Sequence, residues 1–430
     1  MNISINKDKL FNLYCLYYLY KMWKYDHMDI NARQIISKKK LDKIVKLCYK
    51  HPIYNGLFKA KGINDSNLCS KELCELPSLS KEMYREWMNN ELANNSNIHQ
   101  YKFTHTSGST GIPTTNIFSV KEYAHHYMAD FFCWVKGGYN PFLGKSLTRQ
   151  PGDSAVGQGT IIQKLGLLRR NVFNTHWNRN QIISLINDYK PDFILANSSE
   201  LLYIAQYIIE NNLEIIPPQF FCPTGENIDG RTEAILKSVY GEGLINIYGG
   251  TEMADFAVKI PGDNKYEILE DLVSVCIRRD DGNITYEGEG SILVTPLFRK
   301  TFPLLNYELG DRVKIEIING RKYITKIYGR KNDTFVWKNG EETIYKQLEE
   351  INCELKGIFQ IRFIQNSIEM VTIQVVKDIR SKYPQSSLEE YLHDLYDKLF
   401  PPYVDVEIEW CKKFPPEANG KTRNMISLIK

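Results

Sequence analysis

The sequence lacks strong charge of either sign: its 430 residues carry a net charge of only +3. That is too little for its length to mark a partner of nucleic acid or of an anionic membrane surface. It lacks paired cysteine motifs as well. Nine cysteines stand apart at Cys15, Cys48, Cys69, Cys74, Cys133, Cys222, Cys276, Cys353 and Cys411, with no CxxC spacing. An odd, scattered set fits reduced thiols in a cytoplasmic protein better than a disulfide framework. The nearest pair, Cys69 and Cys74, has no histidine at metal-ligand spacing, which argues against zinc. No apolar run is long enough to span a bilayer. The closest candidate, Phe11 to Trp23, is short and rich in tyrosine, without a basic start or small-residue cleavage site. It reads as an amphipathic helix packed on a larger body, with membrane or partner docking as the alternative. Internal repeats and low-complexity linkers are missing too.

What is present is ordinary globular material: 43% hydrophobic and 24% charged residues. The chain is too long for one core of usual size, so a large and a small domain are expected. Residues up to about Asn97 follow helical spacing, and Ser80 before Lys81 to Trp87 reads as a capped helix start. Farther on, helices alternate with short apolar strands. The helices are Gln181 to Tyr189, Glu200 to Asn211 and Arg231 to Tyr240. The strands are Phe193 to Ala196, Gln219 to Cys222 and Leu244 to Tyr248. This alternation predicts parallel sheet with flanking helices. After Asp255, segments such as Ile292–Thr295, Val313–Ile317 and Tyr323–Ile327 are separated by turn residues, as in an antiparallel edge sheet or small barrel. A last α+β region opens at Gly329-Arg330. Its helix carries Ser387 and Glu390 as a capping box and Leu388, Leu392, Leu395 and Leu399 as one stripe. Val371 to Val376 and Val404 to Trp410 are its strands.

The segment Thr106-Ser107-Gly108-Ser109-Thr110-Gly111 concentrates glycines and hydroxyls. Such a loop turns tightly and points N–H and O–H donors at an anion. It is not a P-loop, because Gly-Lys-Ser/Thr is missing, and taken alone it could also be a surface turn. Gly157-Gln-Gly159 and Gly241-Glu-Gly243 lack the third glycine of a dinucleotide fingerprint. His125-His126 reads as helix surface, and His105 as either a ligand contact or a satisfied loop histidine.

Four later segments give the loop company: Tyr248-Gly249-Gly250-Thr251-Glu252, Tyr307 to Asp311, Tyr328 to Asp333 and Gly420-Lys421. Their order and intervals resemble the adenylate-forming superfamily of acyl-CoA synthetases, peptide-synthetase adenylation domains and luciferases. Within it the chain looks most like the phenylacetate–CoA ligase branch, including capsular-polysaccharide-type relatives. Leu76-Pro-Ser-Leu-Ser-Lys81, Thr224-Gly225-Glu226, Glu270-Asp271 and Gly290 to Leu297 are the further landmarks of that branch. The likeness runs from about Leu76 to the end.

The resemblance implies an α/β fold: a large domain, residues 1–327, with parallel βα sheets and a barrel-like part, then a small mobile α+β domain, residues 328–430. It implies ATP and Mg²⁺, with coenzyme A as a possible co-substrate. In it Thr106 to Gly111 hold phosphate, Glu252 organises the metal and Thr251 meets the α-phosphate. Tyr248, Gly249, Gly250, Gly225 and Glu226 contact the nucleotide, and Asp311 and Arg330 bind ribose. Lys421 stabilises charge during adenylation. A hard carboxylate suits Mg²⁺, and a cation aimed at the transferring centre suits the transition state. The implied reaction activates a carboxylic acid as acyl-AMP, then passes the acyl group to coenzyme A. A carrier protein, an amine or amino sugar, nucleotidyl transfer to a cofactor hydroxyl and a non-catalytic nucleotide-binding relative are the alternatives. The sequence departs from the pattern at Thr114, where a lysine is usual, at Asn306-Tyr307, and at Asn332-Asp333 in the hinge. Ala254, Asp255, Phe256 and Tyr266 replace the metal ligands of some relatives, so zinc is not implied. Oligomeric state is not legible.

Overall fold

A computed structural model describes residues 7–95, 98–105, 114–150, 165–167, 169–174, 177–226, 228–330, 334–352, 355–414 and 422–429. The chain forms two compact units, each from two stretches: Met1–Gly138 with Ile245–Ile327, and Tyr139–Leu244 with Tyr328–Lys430. One break falls between Ile327 and Tyr328. Residues 139–244 group with the C-terminal stretch rather than with the residues before them.

The first unit is built on an eight-stranded sheet. Its order is Ile284–Thr285, Val273–Arg278, Gly288–Pro296, Tyr307–Ile318, Arg321–Arg330, Tyr266–Ile268, Ala254–Lys259, Asn246–Gly250. Its strands alternate as a half-buried sheet requires: Val313 and Ile315 are buried between Lys314 and Glu316. Tyr307–Ile318 and Arg321–Arg330 are joined by Asn319 and Gly320, at φ of 51° and 75°. Positive φ at both central residues is what a tight hairpin turn needs, and Asn-Gly provides it at least strain. The helix Val120–Lys136 packs against the Ala254–Lys259 strand and against the helix Lys7–Asp26. Of the latter, Cys15, Leu19, Met22 and Tyr25 are buried, as a helix packed on a larger body requires, but the helix is not amphipathic: Leu13, Leu16, Tyr17, Tyr20 and Trp23 leave its exposed side apolar as well. No described helix is long and apolar enough to cross a membrane.

The second unit contains two four-stranded sheets. The first is parallel, in the order Arg169–Asn174, Lys145–Gln150, Phe193–Asn197, Phe220–Thr224. The helices Arg179–Tyr189, Ser198–Glu210 and Gly230–Tyr240 accompany it. Phe193, Ile194 and Phe221 are buried, the apolar run expected of strands covered on both faces. The other sheet runs Asp405–Trp410, Met370–Lys377, Ile358–Ser367, Met425–Ser427, with parallel pairing at both edges and an antiparallel centre. The helix Gln385–Leu399 shares its core.

Four further expectations need correction. The strand expected at Leu244 to Tyr248 is Asn246–Gly250, and it pairs antiparallel with Ala254–Lys259. Its chain reverses at once through Thr251–Met253, where the Met253 amide donates to the Gly250 carbonyl at 3.0 Å. A parallel partner would need a crossover of about a dozen residues. Ser387 and Glu390 make no capping box, because the helix already starts at Gln385 behind Pro384. On the same helix Leu399 is exposed, and Tyr396 continues the buried row of Leu388 and Leu392. His125 is not surface: it is buried and stacks on Tyr18 at 4.2 Å.

The start of the helix Val120–Lys136 is fixed by a buried carboxylate. Glu122 accepts from the Ser119 amide at 2.8 Å and hydroxyl at 2.7 Å, and from the Thr301 amide and hydroxyl at 2.7 Å each. Burial pushes its pKa up, but the bonds from Thr301, Lys300 and Ser119 win and hold it below the ordinary carboxylate range. A lowered folded-state pKa adds stability that is full above the unfolded-state value and lost as pH falls through the lowered one. Glu122→Gln is therefore expected to cost about 2 kcal/mol at neutral pH and to flatten the acid side of the stability curve. Urea melts of both proteins across acid pH measure this; parallel acid limbs would contradict it.

Candidate active site

Glu252 sits at the turn that follows the Asn246–Gly250 strand, and it is 2% exposed. Its Oε1 accepts from the Tyr307 hydroxyl at 3.2 Å and lies 3.5 Å from Lys81 Nζ. Its Oε2 accepts from the Thr251 hydroxyl at 3.3 Å. Burial first, and the Glu252 charge second, push the Tyr307 phenol far up, so Tyr307 stays protonated and donates. Lys81 opens the helix Lys81–Asn94 directly after Ser80, whose hydroxyl accepts from the Met83 amide as the sequence predicted. As a residue, Lys81 was legible only as the end of a family landmark. Its closeness to Glu252 is a tertiary fact.

A second buried charge fastens the same turn. Arg299 is 1% exposed and donates to the Glu252 carbonyl at 2.8 Å and to the Tyr84 hydroxyl at 3.0 Å. It also reaches Asn116 Oδ1 and the Ile117 carbonyl at 3.5 Å, with its guanidinium 4.7 Å above the Phe118 ring. One side chain thus ties the Lys81–Asn94 helix, the Thr115–Phe118 strand and the Thr251-Glu252 turn. Sequence reasoning missed it, because nothing local marks an arginine whose partners come from three segments.

The strand Thr115–Phe118 pairs antiparallel with Lys102–His105, His105 opposite Thr115. The loop Thr106 to Gly111 connects them and lies outside the described residues. The described edges approach the Thr251 turn: Thr104 Oγ1 is 3.5 Å from the Thr251 carbonyl, and His126 Nε2 is 3.2 Å from it. Burial pushes the His126 imidazole down to about 4, so it is neutral and donates Nε2–H to that carbonyl. His105 is exposed, with Nδ1 3.1 Å from the Thr115 hydroxyl across the hairpin.

The Tyr248 hydroxyl donates to Asp311 Oδ2 at 2.8 Å, so these two candidates are neighbours. Gly249 is required by packing: a Cβ there would lie 2.3 Å from the Ala254 carbonyl oxygen. A Cβ on Gly250 would come within 3.2 Å of Glu252 Oε2. The glycines therefore let the strand fold close over itself beside the carboxylate.

In the second unit, Gly225 has a φ of 82°, a conformation that favours glycine. It delivers Glu226, whose Oε2 accepts from the Ser199 amide at 2.8 Å and whose Oε1 accepts from the Thr422 amide. Asp229 caps the helix Gly230–Tyr240 through the Thr232 amide and accepts from the Tyr345 hydroxyl at 2.7 Å. Asn424 donates to that same hydroxyl at 3.0 Å. The chain just beyond position 421 is thereby fixed from two sides. Lys421 itself lies outside the described residues, as do Asn332 and Asp333; Arg330 is exposed at the end of its strand.

Among the described residues no group of three or more His, Cys, Asp or Glu gathers as a metal cage. Cys69 and Cys74 are free thiols. Glu252 is a single hard carboxylate, which fits an ion whose other ligands are phosphate oxygens and water, the usual Mg²⁺ arrangement.

These geometries stand in a chain with recognisable kin. Residues 335–428 match the CapK C-terminal domain family. Protein CapK of Staphylococcus aureus is 23% identical over 401 residues, covering 88% of this chain and 85% of that protein. Phenylacetate-coenzyme A ligase of Aromatoleum evansii is 22% identical over 341 residues, covering 70% and 71%. Among solved structures, 2-hydroxyisobutyryl-CoA ligase in complex with R3-HIB-AMP superposes with a TM-score of 0.72 at 16% identity, over 93% of this chain and 90% of that one. The family resemblance read from the motifs is borne out, and the fold is that of adenylate-forming ligases.

A carboxyl pair on the neighbouring helix and strand titrates. Asp130, on the helix Val120–Lys136, accepts from the Asp255 amide at 3.1 Å, and the two carboxyl groups hydrogen-bond each other. Burial pushes Asp255 up to about 6; burial, then the Asp255 charge, pushes Asp130 well up. A carboxyl raised above its unfolded value of 3.8 stabilises below that pH and loses the contribution as pH rises through the folded value. Asp130→Asn is expected to melt a few degrees above the parent at pH 8 and to lose the part of the decline that lies above pH 6, while the part due to buried Asp255 persists. A pH series of thermal melts measures this; an unchanged decline would exclude the shared proton.

Proposed function

We propose that this chain is an ATP-dependent adenylate-forming ligase that converts a small carboxylic acid to its acyl-AMP and passes the acyl group on. The observation that carries the proposal is the convergence of Tyr248 with Asp311, and of Thr251 and Glu252 with Lys81 and Arg299. Tyr248, Thr251, Glu252 and Asp311 are positions at which the resembling family binds nucleotide; Lys81 and Arg299 hold Glu252 in place beside them. In the first half-reaction a carboxylate oxygen attacks the α-phosphorus of ATP, the new P–O bond forms and the bond to the β-phosphate breaks, releasing pyrophosphate. Asp311 would take the ribose hydroxyls, exchanging its bond from Tyr248, with Arg330 as a further ribose contact. Thr251 would donate to the α-phosphate, and Thr106 to Gly111 would cradle the outer phosphates. Magnesium held by Glu252 would offset phosphate charge. Lys421 would face the charge that develops on the transferring group; the next residue, Thr422, donates its amide to Glu226. Residues 1–327 and 328–430 would then be the two working domains.

In the second half-reaction a nucleophile attacks the acyl carbonyl and AMP leaves. Two relatives are named as coenzyme A ligases, which supports coenzyme A as the acceptor; the phenylacetate ligase supports an aryl or arylacetic acid as the substrate class. A carrier-protein thiol, an amine or amino sugar, and nucleotidyl transfer to a cofactor hydroxyl are rival second steps. Cysteines without a disulfide, buried at Cys48, Cys133 and Cys222, support a reducing, cytoplasmic setting.

The test uses the whole protein with ATP, Mg²⁺ and a panel of acids, with hydroxylamine as generic acceptor. Acid-dependent pyrophosphate release is expected; no release with any acid would leave only the non-catalytic nucleotide-binding relative. Mass detection after adding coenzyme A, a phosphopantetheine carrier or amines then identifies the acceptor.

Two substitutions separate the assigned roles. Lys421→Ala should slow adenylation about a hundredfold or more while sparing turnover of preformed acyl-AMP. Glu226→Gln should produce a weaker form of the same selective defect, read by the same pair of assays. Equal loss in both half-reactions would contradict either role.

A further inference from the structure

The first unit holds a concavity of about 660 Å³ between the helix Ile30–Tyr49, the segment Leu68–Leu76 and the sheet, away from the residues of the candidate site. Its size is that of a small-molecule site. The sequence landmarks at Leu76 and Glu270 both reach its wall, and the proposed nucleotide chemistry uses neither. The wall is also held in place: Ser37 donates to the Glu270 carbonyl at 2.7 Å, and Lys40 forms an ion pair with Asp271.

Arg33 is part of this wall, and its charge is out of balance. It is 2% exposed, and its Nε and Nη1 have no hydrogen-bond partner. Its Nη2 stands 3.8 Å from Asp26 and 3.7 Å from Glu267, too far for a hydrogen bond. Those two acids are already met by nearer cations. Lys136 lies 2.7 Å from Asp26 and 3.1 Å from Glu267, and Arg321 lies 2.9 Å from Glu267. Three cations thus share two carboxylates. A buried guanidinium left short of acceptors is costly unless something supplies them; the Tyr25 ring, 5.0 Å away, is partial compensation at most.

The mouth repeats the imbalance. Lys38 and Lys46 are exposed on the lining helix with one acid, Asp42, four residues from each. Lys322 adds a further cation. On the acidic side, Glu72 accepts from the Tyr286 hydroxyl at 3.0 Å, and burial raises the Glu270 carboxyl against the pull of Lys322 and Arg33. Apolar surface comes from Leu41, Val45 and Leu73.

We propose that this concavity is a second ligand site, distinct from the nucleotide site, for a small organic anion with an apolar body and one acidic head. The body rests on Leu41 and Val45, and the head is drawn by Lys38, Lys46 and Arg33. The proposal does not depend on the ligase reading.

The probe is 8-anilinonaphthalene-1-sulfonate, an apolar body with one anionic head, titrated by fluorescence into the full chain under saturating Mg²⁺ and ATP. One saturable site is expected to persist under ATP. The double variant Lys38→Glu/Lys46→Glu, exposed and so compatible with folding, should weaken it tenfold or more. Leu41→Trp, which fills the site, should remove it while circular dichroism stays that of the parent. Octanoate and phenyl phosphate then serve as competitors: displacement by either supports the site and tells whether a carboxylate or a phosphate is preferred. Complete displacement by ATP, displacement by neither competitor, or undiminished binding in both folded variants would each overturn the proposal.

Discussion

The Arg299 guanidinium is the interaction on which the candidate site rests. A charge that is 1% exposed is tolerable only when its donors are occupied, and here the acceptors come from Glu252, Tyr84, Asn116 and Ile117. They come from three pieces of the site's frame. The Glu252 carbonyl belongs to the turn that carries the carboxylate, Tyr84 to the helix that begins with Lys81, and Asn116 and Ile117 to the strand that leaves the loop. Satisfying one cation therefore sets three distances at once. The Lys81–Glu252 separation of 3.5 Å and the Tyr307–Glu252 bond of 3.2 Å are consequences of that placement.

Buried charge is handled in three ways in the first unit, and the contrast gives each its meaning. Glu122 and Arg299 are met by fixed donors or acceptors, which fits a structural role. Asp130 and Asp255 are met by each other and by a proton, so their environment changes with pH. Arg33 is met by neither. Its two nearest acids belong to closer cations, and two of its nitrogens have no partner. Among these buried ions, Arg33 is the one left short of acceptors, and it lies beside a concavity.

What could be read from the sequence follows from where the physical demand lies. Gly249 must be glycine because a neighbouring strand passes 2.3 Å from where its Cβ would be. Such demands are local, so they leave a contiguous motif, and Tyr248, Thr251 and Glu252 were legible with it. Asp311 was legible for the same reason, next to Gly310 at a φ of 95°. Lys81, Tyr84, Arg299 and Asp130 meet their partners only after folding, and a lone arginine between Phe298 and Lys300 carries no local sign of that. Apolar alternation gave the parallel strands well. It failed at Asn246–Gly250, because alternation reports burial, while the partner is decided by how soon the chain turns back. The capping box at Ser387 failed because the helix begins earlier, at Gln385 behind Pro384, although Pro384 supplies no side-chain cap.

Glu226 shows why a motif and a role must be kept apart. The family resemblance makes Gly225 and Glu226 nucleotide-binding residues, whereas the structure has each carboxylate oxygen accepting a backbone amide, from Ser199 and from Thr422. A carboxylate has about four acceptor positions, so both tasks fit one side chain. If both are performed, the nucleotide and the chain beside Lys421 draw on the same group, and strengthening either bond polarises the other. A loss of nucleotide affinity on changing Glu226 would then not locate the nucleotide, since release of the Thr422 amide alone would disturb the lysine's position. Only the comparison of the two half-reactions separates a broken bond to the nucleotide from a misplaced lysine. The first weakens ATP binding with little selectivity between the steps, and the second spares acyl-AMP turnover.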